Sequence, residues 1–270
     1  MNKAKSDEKE SSLIDMKKLI MEFMGTFALT FIGSWSIIYA DLNMITRNGV
    51  ALCHAVALTG FIWLGAGISG AHYNPALTLA MVIIKRFDWT TALFYIMSQF
   101  FGALVAGGFI FIQINSQVMD DLKGKSVMGI PTAGKKSYEV SGMWSEVLGT
   151  FFLAYVFMAT CIDNNPKKVQ GVGAIAIGMT LYLSIMSIGE LSGSGINPAR
   201  SLGPAIVAGQ LDKNQFIHFL GPLIGAALGA IIYTSIFIDN EEDIKLAESE
   251  KKLKSRQSDA TQNEQEIEIQ

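Results

Sequence analysis

Residues 69–76 read SGAHYNPA and residues 192–201 read SGSGINPARS, so an Asn-Pro-Ala triplet occurs twice, the second copy starting 123 residues after the first. Asparagine suits a helix N-cap, and proline suits the first helical position, where no N–H is needed. Each triplet therefore predicts a helix start. A single copy would indicate an ordinary loop-to-helix junction. The two copies are Asn74, Pro75 and Ala76, and Asn197, Pro198 and Ala199.

Two further features recur at almost the same offset. EFMGTF at 22–27 resembles EVLGTF at 146–151, and GAL at 102–104 resembles GAA at 225–227. Self-similarity at one fixed spacing indicates an internal duplication.

Six apolar runs are long enough to cross the hydrocarbon core of a bilayer, which takes about 20 helical residues. They lie at 19–40, 50–69, 90–113, 142–162, 169–189 and 216–238. Two shorter runs, from Pro75 to Ile84 and from Pro198 to Ala208, reach only halfway. Because these runs do not alternate in polarity, helices and not barrel strands must satisfy the backbone in lipid.

We therefore predict an all-α membrane protein with six transmembrane helices and two re-entrant half-helices. Three spans per half reverse the direction of the second copy, which gives an inverted 3+3 repeat. The predicted regions are a polar cytoplasmic N-terminus at 1–18, a channel domain at 19–238 and a disordered cytoplasmic tail at 239–270. Repeat 1 covers about 19–113 and repeat 2 about 142–238.

Basic pairs at 17–18, 85–86 and 167–168 fall on one side of the membrane if six helices cross in order. The excess of positive charge in cytoplasmic segments then predicts that both termini are cytoplasmic. Whether the protein lies in the plasma membrane or in an internal (vacuolar) membrane stays open.

Composition excludes several classes of function. Half of the residues are hydrophobic, 17% are charged and the net charge is -3, so no basic stripe for a nucleic acid is expected. Cys53 and Cys161 stand in apolar runs without metal-ligand spacing, which predicts two core side chains and no metal site or cofactor. No nucleophile and base pair is visible, so we do not expect an enzyme.

Two half-helices that start at the bilayer midplane would point their free N–H groups and positive dipole ends at each other. The amides of Asn74 and Asn197 could then hold the oxygen of a passing water and turn its hydrogens outward. A water so oriented relays no proton, and the central positive potential repels cations. The motifs therefore predict a passive channel that conducts water in single file and excludes protons and ions.

Four other polar residues lie in or beside the apolar runs. Arg200 would cost about 2.5–3.5 kcal/mol in a membrane, so it should face a polar cavity. His54 fits either a hydrogen bond between helices or the pore wall. Glu22 and Glu146 are either acceptors for the non-helical backbone before each half-helix, which we favour, or proton carriers. With them we group His72 of the first motif as structural support.

On these motifs, the chain resembles the aquaporin, or major intrinsic protein, family along residues 17–238. The resemblance implies one pore per subunit, a homotetramer in the lipid bilayer, and pore asparagines at the two motifs. By position it also implies a selectivity filter, similar to that of plant vacuolar-membrane (tonoplast) aquaporins, some of which pass ammonia or urea. The filter residues are His54, Ile185, Ser194 and Arg200.

Ser201 after the filter arginine, and only 24 residues from Asn197 to Gly221, are typical of water-type members and not of glycerol-type members. Two features depart from the family pattern. His218 and Phe219 replace an aromatic pair that usually ends in Trp, and Ala133 stands where ammonia-passing vacuolar members tend to have His. Three alternatives stay open: the same pore passing ammonia, urea or glycerol, an ion- or proton-coupled transporter, and a non-conducting adhesion or scaffold protein.

Overall fold

The computed structural model describes residues 15–114, 116–122, 127–131, 139–163, 171–211 and 215–238, and every regular element in these ranges is helical. A 3-10 turn occupies Val127–Gly129, and a π turn at Met158–Ile162 continues α6. The helices are α1 Met16–Asp41, α2 Arg47–Ser69, α3 Pro75–Ile83, α4 Trp89–Gln113, α5 Ser116–Asp121, α6 Glu139–Phe157, α7 Gly173–Ser192, α8 Pro198–Val207 and α9 Ile217–Phe237.

Most of the predicted polar N-terminus and the whole predicted tail at 239–270 lie outside the described residues. The contacts group Tyr233–Gln270 as a separate unit. Its described part is 233–238, in which the rings of Tyr233 and Phe237 lie 5.3 Å apart. The division of the chain into regions stays a prediction.

Six helices in the described residues are long and apolar enough to cross a membrane: α1, α2, α4, α6 with its π turn, α7 and α9. The helices α3 and α8 have only 9 and 10 residues, which is half a span. The predicted fold class is confirmed. The largest difference is in the fifth span, which we predicted at 169–189 and which runs as α7 to Ser192, because a left-handed glycine, Gly193, ends it.

Capping side chains determine where two spanning helices begin. Asp15 accepts a hydrogen bond from the Lys17 amide at 2.9 Å, and Asp88 accepts one from the Thr91 amide at 2.8 Å. These N–H groups have no partner within their own helix. The hydrogen bonds from Thr91 also hold the pKa of Asp88 below its usual value.

The segment before each half-helix repeats the same unusual backbone. The helices α2 and α7 each end at a glycine in the left-handed region, Gly70 with φ 86° and Gly193 with φ 80°. Four non-glycine residues then also have positive φ, at positions related by the repeat: Ala71 and Ser194, and Tyr73 and Ile196. Each such residue costs about 1–2 kcal/mol, so neighbouring groups must hold these segments in place. We call 70–74 the first pore loop and 193–197 the second pore loop.

Glycines allow two pairs of helices to cross with their backbones in contact. A Cβ at Gly102 of α4 would collide with the carbonyl oxygen of Phe23 on α1. A Cβ at Gly225 of α9 would collide with the carbonyl oxygen of Val147 on α6. In lipid, where apolar burial gives little drive to association, such close crossings by small residues supply much of the packing.

We expect Gly102→Ala to lower the free energy of unfolding by about 2 kcal/mol, as overpacking of a core does. Gly108 on the same helix is the matched control, because a Cβ there meets nothing within 4 Å. Gly108→Ala should leave the stability equal or slightly higher. Thermal unfolding in detergent measures both variants, and equal melting temperatures would contradict the assigned crossing.

Candidate functional site

Each Asn-Pro-Ala asparagine caps its own half-helix. Asn74 Oδ1 accepts a hydrogen bond from the Ala76 amide at 2.9 Å. Asn197 Oδ1 accepts from the amides of Ala199 at 3.0 Å and Arg200 at 3.2 Å. Pro75 and Pro198 follow at the first helical position. The triplets therefore begin helices for the local reason that the sequence indicates.

The two half-helices meet tip to tip. Asn74 Nδ2 donates to the carbonyl oxygen of Ile196 at 3.0 Å, and Asn197 Nδ2 donates to that of Tyr73 at 2.7 Å. From the sequence we expected the amides to face a passing solute. Each Nδ2 carries two hydrogens, so the bond to the opposite loop uses one and leaves one for a solute.

Three neighbouring cavities form a path that runs by this meeting point. The outer cavity is lined by Arg47 and Ile185 among others, the middle cavity by Asn74 and Asn197, and the inner cavity by Phe87 and Cys161. Neighbouring cavities share wall residues, which are His54, Ser194 and Arg200 between outer and middle, and Ile62, His72 and Phe157 between middle and inner.

The space in which the centre of a water molecule fits is about 360 Å³ in the outer cavity, about 20 Å³ in the middle cavity and about 500 Å³ in the inner cavity. One water centre needs about 10–15 Å³. The path therefore has the least room for water in the middle cavity, whose wall includes the two asparagines.

The four residues predicted for the filter come together in the wall of the outer cavity. His54 comes from α2, Ile185 from α7, Ser194 from the second pore loop and Arg200 from α8. All four are buried, Arg200 with only 2% of its surface exposed. Ile185 is the one member that does not also line the middle cavity.

A hydrogen bond between Arg200 and His54 sets the protonation of the imidazole. Arg200 Nη2 lies 3.2 Å from His54 Nε2, and since arginine can only donate, Nε2 must be the accepting nitrogen. The ring proton then sits on Nδ1 and is donated to the Val50 carbonyl oxygen at 2.9 Å. Gly33 on α1 gives the ring room, because a Cβ there would strike it.

This arrangement leaves several polar groups of the four predicted filter residues without a hydrogen-bond partner in the described part of the chain. Arg200 Nε and Nη1, and Ser194 Oγ, have no hydrogen-bond partner among the described residues. His54 offers no N–H, since its one ring proton is already donated to Val50. The free polar groups of the filter are therefore arginine N–H donors and one hydroxyl.

Glu22 holds the first pore loop. Its Oε1 accepts hydrogen bonds from Ser69 Oγ at 2.6 Å and the His72 amide at 3.0 Å. Its Oε2 accepts from the Tyr73 amide at 2.7 Å and Gln99 Nε2 at 2.8 Å. The carboxylate is fully buried, and each of its two oxygens accepts two of these four hydrogen bonds.

Glu146 holds the second pore loop in the same way. Its Oε1 accepts from the Gly195 amide at 2.8 Å, and its Oε2 from the Ile196 amide at 2.6 Å. These are the backbone contacts that we favoured for the two glutamates from the sequence. Neither carboxylate is among the described residues that line the three cavities.

His72 belongs both to this support and to the path. Its Nδ1 lies 3.1 Å from Thr78 Oγ1, and its ring packs against Phe87, Tyr95 and Phe157. The sequence analysis missed Thr78, Tyr95 and Gln99 as supporting residues. The repeat could have revealed Tyr95, whose counterpart 123 residues later is His218.

The expectation that both cysteines are core residues is wrong. Cys53 is half-buried, and Cys161 is exposed and borders the inner cavity. A spanning helix is apolar on its outer side too, so an apolar run does not place a side chain in the core. Ala133, the other departure from the family pattern, lies outside the described residues.

The chain is similar to known proteins along most of its length. The family model described as Major intrinsic protein matches residues 9–233. Aquaporin TIP2-3 of Arabidopsis thaliana is 34% identical over 248 residues, covering 88% of this chain and 94% of that protein. Aquaporin NIP1-1 of Zea mays is 33% identical over 242 residues, covering 89% of this chain and 82% of that protein.

The X-ray structure of the aquaglyceroporin from Plasmodium falciparum has the same fold, with a TM-score of 0.69 at 21% identity over 82% of this chain and 95% of that one. The resemblance noted in the sequence is therefore confirmed. The chain is a multi-pass membrane protein that belongs to the major intrinsic protein, or aquaporin, family, whose members are channels and not enzymes.

Proposed function

We propose that this protein conducts water in single file through its three cavities and excludes protons and ions. The narrow middle cavity, with a capping asparagine of each half-helix in its wall, carries the proposal. A volume of about 20 Å³ admits water molecules one behind another. The lining is otherwise largely apolar, which lets water pass without binding tightly.

Proton exclusion follows from what surrounds that narrow point. The N-termini of α3 and α8 direct the positive ends of two helix dipoles into it. The remaining N–H of each asparagine amide donates to the water oxygen, so both water hydrogens point away from the centre. A chain of waters that reverses direction at its middle cannot pass a proton along, and Arg200 adds a positive charge that repels hydronium.

Stopped-flow light scattering of proteoliposomes against sucrose tests this function. Vesicles with the protein should shrink many times faster than protein-free vesicles, with a low activation energy. A pH-sensitive dye inside the same vesicles should report no faster proton entry than in bare lipid. Water permeability equal to bare lipid would overturn the proposal, and proton entry at the rate of water flux would overturn the exclusion.

The predicted filter also suits small neutral solutes such as urea, ammonia or glycerol as second substrates of the same pore. Its free polar groups, Arg200 Nε and Nη1 and Ser194 Oγ, suit a solute that accepts hydrogen bonds, and Ile185 gives an apolar wall. The water oxygen, the urea carbonyl and the nitrogen lone pair of ammonia can all accept such hydrogen bonds. In the same vesicles, separate gradients of urea, ammonia and glycerol measure which of these solutes passes beside water.

An ion- or proton-coupled transporter would need Glu22 or Glu146 to exchange protons with the path. The two glutamates instead accept hydrogen bonds from backbone N–H groups of the pore loops, and neither lines the three cavities. A saturable flux that follows a pH gradient would revive that function.

The orientation and the assembly belong to the same proposal. Lys17 and Lys18 stand at the start of α1 and Lys85 and Arg86 after α3. From these charges and the positive-inside rule we infer that both termini are cytoplasmic. We also propose the homotetramer implied by the family resemblance. Protease accessibility of epitopes at each terminus in sealed vesicles, and cross-linking of purified protein, test these two points.

A further inference from the structure

The two pore loops are held with unequal numbers of hydrogen bonds. Glu22 accepts two backbone and two side-chain hydrogen bonds, whereas Glu146 accepts two, both from the backbone, among the described residues. The repeat explains the difference. The counterpart of Gln99 is Pro222, which has no donor, and Ser192 Oγ donates to the Ile188 carbonyl oxygen and not to the glutamate.

In each half, one ring-bearing side chain donates a hydrogen bond to the carbonyl oxygen of the residue just before the pore loop. In the first half, Tyr95 Oη donates to the Ser69 carbonyl oxygen at 2.9 Å. In the second half, His218 Nε2 donates to the Ser192 carbonyl oxygen at 2.6 Å. Tyr95 and His218 are repeat counterparts, so an imidazole does in one half what a phenol does in the other.

His218 also touches the loop itself. Its ring carbon Cδ2 lies 2.8 Å from where a Cβ of Gly195 would be, in the place that corresponds to the side chain of His72 in the first loop. Its Nε2 lies 3.7 Å from Glu146 Oε1, the oxygen that accepts from the Gly195 amide. Gly221, three residues further along α9, lets that helix approach Glu146 closely.

The second pore loop carries Ser194 and leads directly into Arg200, so its position decides the shape of the filter. The first pore loop carries no residue of the predicted filter. Loosening the second loop should therefore displace the predicted filter residues, whereas loosening the first leaves those residues in place.

We propose that His218 is a positioning residue that holds the second pore loop, and through it Ser194 and Arg200, in the selective arrangement. The inference rests on the proposed channel function, since selectivity is its outcome. His218 lines none of the three cavities, so it is not placed to contact a solute in them. It acts by donating a hydrogen bond to the Ser192 carbonyl oxygen and by filling the space beside Gly195.

The test compares His218→Tyr with His218→Phe, which differ by one hydroxyl. We expect the phenol of the first variant to replace the imidazole as donor to Ser192, as Tyr95 does for Ser69. In His218→Phe, hydrogen–deuterium exchange in the peptide covering 192–197 should rise about tenfold, as expected when a buried acceptor loses its donor. In His218→Tyr it should stay close to wild type.

Transport supplies the second measurement. The ratio of urea to water permeability should change several-fold in His218→Phe and return toward the wild-type value in His218→Tyr. Tyr95→Phe is the control in the other half, and it should lower water permeability without changing the ratio. Should neither aromatic variant at 218 fold, His218→Gln, which keeps a donor, and His218→Met, which does not, replace the pair.

Unchanged exchange at 192–197 in the donor-free variant would overturn the inference. So would an equal change in the donor-bearing and donor-free variants, because the hydroxyl would then make no difference. These exchange measurements need no transport, so they stand even if the wild-type protein leaves vesicles no more permeable to water than bare lipid, a result that overturns the proposed function alone.

Discussion

Replacing Arg200 with valine is expected to keep water flux and to make the vesicles permeable to protons and more permeable to urea. Arg200 has only 2% of its surface exposed and lies in the wall shared by the outer and middle cavities, where its charge would act on every permeating ion. A unit charge about 8 Å away at an effective dielectric of about 20 contributes about 2 kcal/mol, or about 30-fold in flux. Removal of the side chain also widens the path beside His54.

The control is Arg200→Lys, which keeps the charge but loses the planar fork that binds His54. It should retain proton exclusion while its urea permeability changes. Proton-dye and urea stopped-flow measurements on the three proteins separate charge from shape. Vesicles with Arg200→Val that stay as tight to protons and urea as wild type would remove Arg200 from the filter.

Glu22→Gln should strongly destabilise the protein although it changes only one atom. An amide has a single acceptor oxygen, so its NH2 would face the donors that now bond one carboxylate oxygen, among them the amide of His72 or of Tyr73. Two buried donors left without an acceptor cost about 4 kcal/mol in total, or about 8–16 °C in melting temperature for a chain of this size.

Thermal unfolding in detergent measures this change, with Glu190→Gln as the control. Glu190 is paired with Arg47 near the surface with 73% of its side chain exposed, and such pairs contribute little. The same variant tests the rival function. A Glu22→Gln protein with wild-type stability and a lost response to a pH gradient would identify a proton carrier and not a loop support.

Several features of the site follow from short stretches of sequence. The helix starts at Pro75 and Pro198 depend on an N-cap and a proline, which act within a few residues. The six spans depend on length and polarity alone, and the shared offset of 123 residues predicts the inverted repeat. Arg200 could be singled out because a charge in an apolar run is costly wherever the chain folds.

Contacts between distant segments could not be read in this way. Tyr95 and Gln99 look like ordinary residues of an apolar helix, and their roles appear only when α4 brings them to Ser69 and Glu22. Cys161 borders a cavity because of the direction in which the π turn after α6 presents it. When a helix is apolar all round, hydrophobicity does not indicate which side faces a cavity.

The sequence by itself determined that two capped half-helices and six spans repeat in opposite directions, because caps, lengths and offsets are local or countable properties. Only the tertiary structure decided which donors remain free beside Arg200 and Ser194. That outcome depends on which partners the folded chain brings within hydrogen-bond reach. The ring proton of His54 is donated to Val50, and one hydrogen of each asparagine amide is donated to the opposite loop.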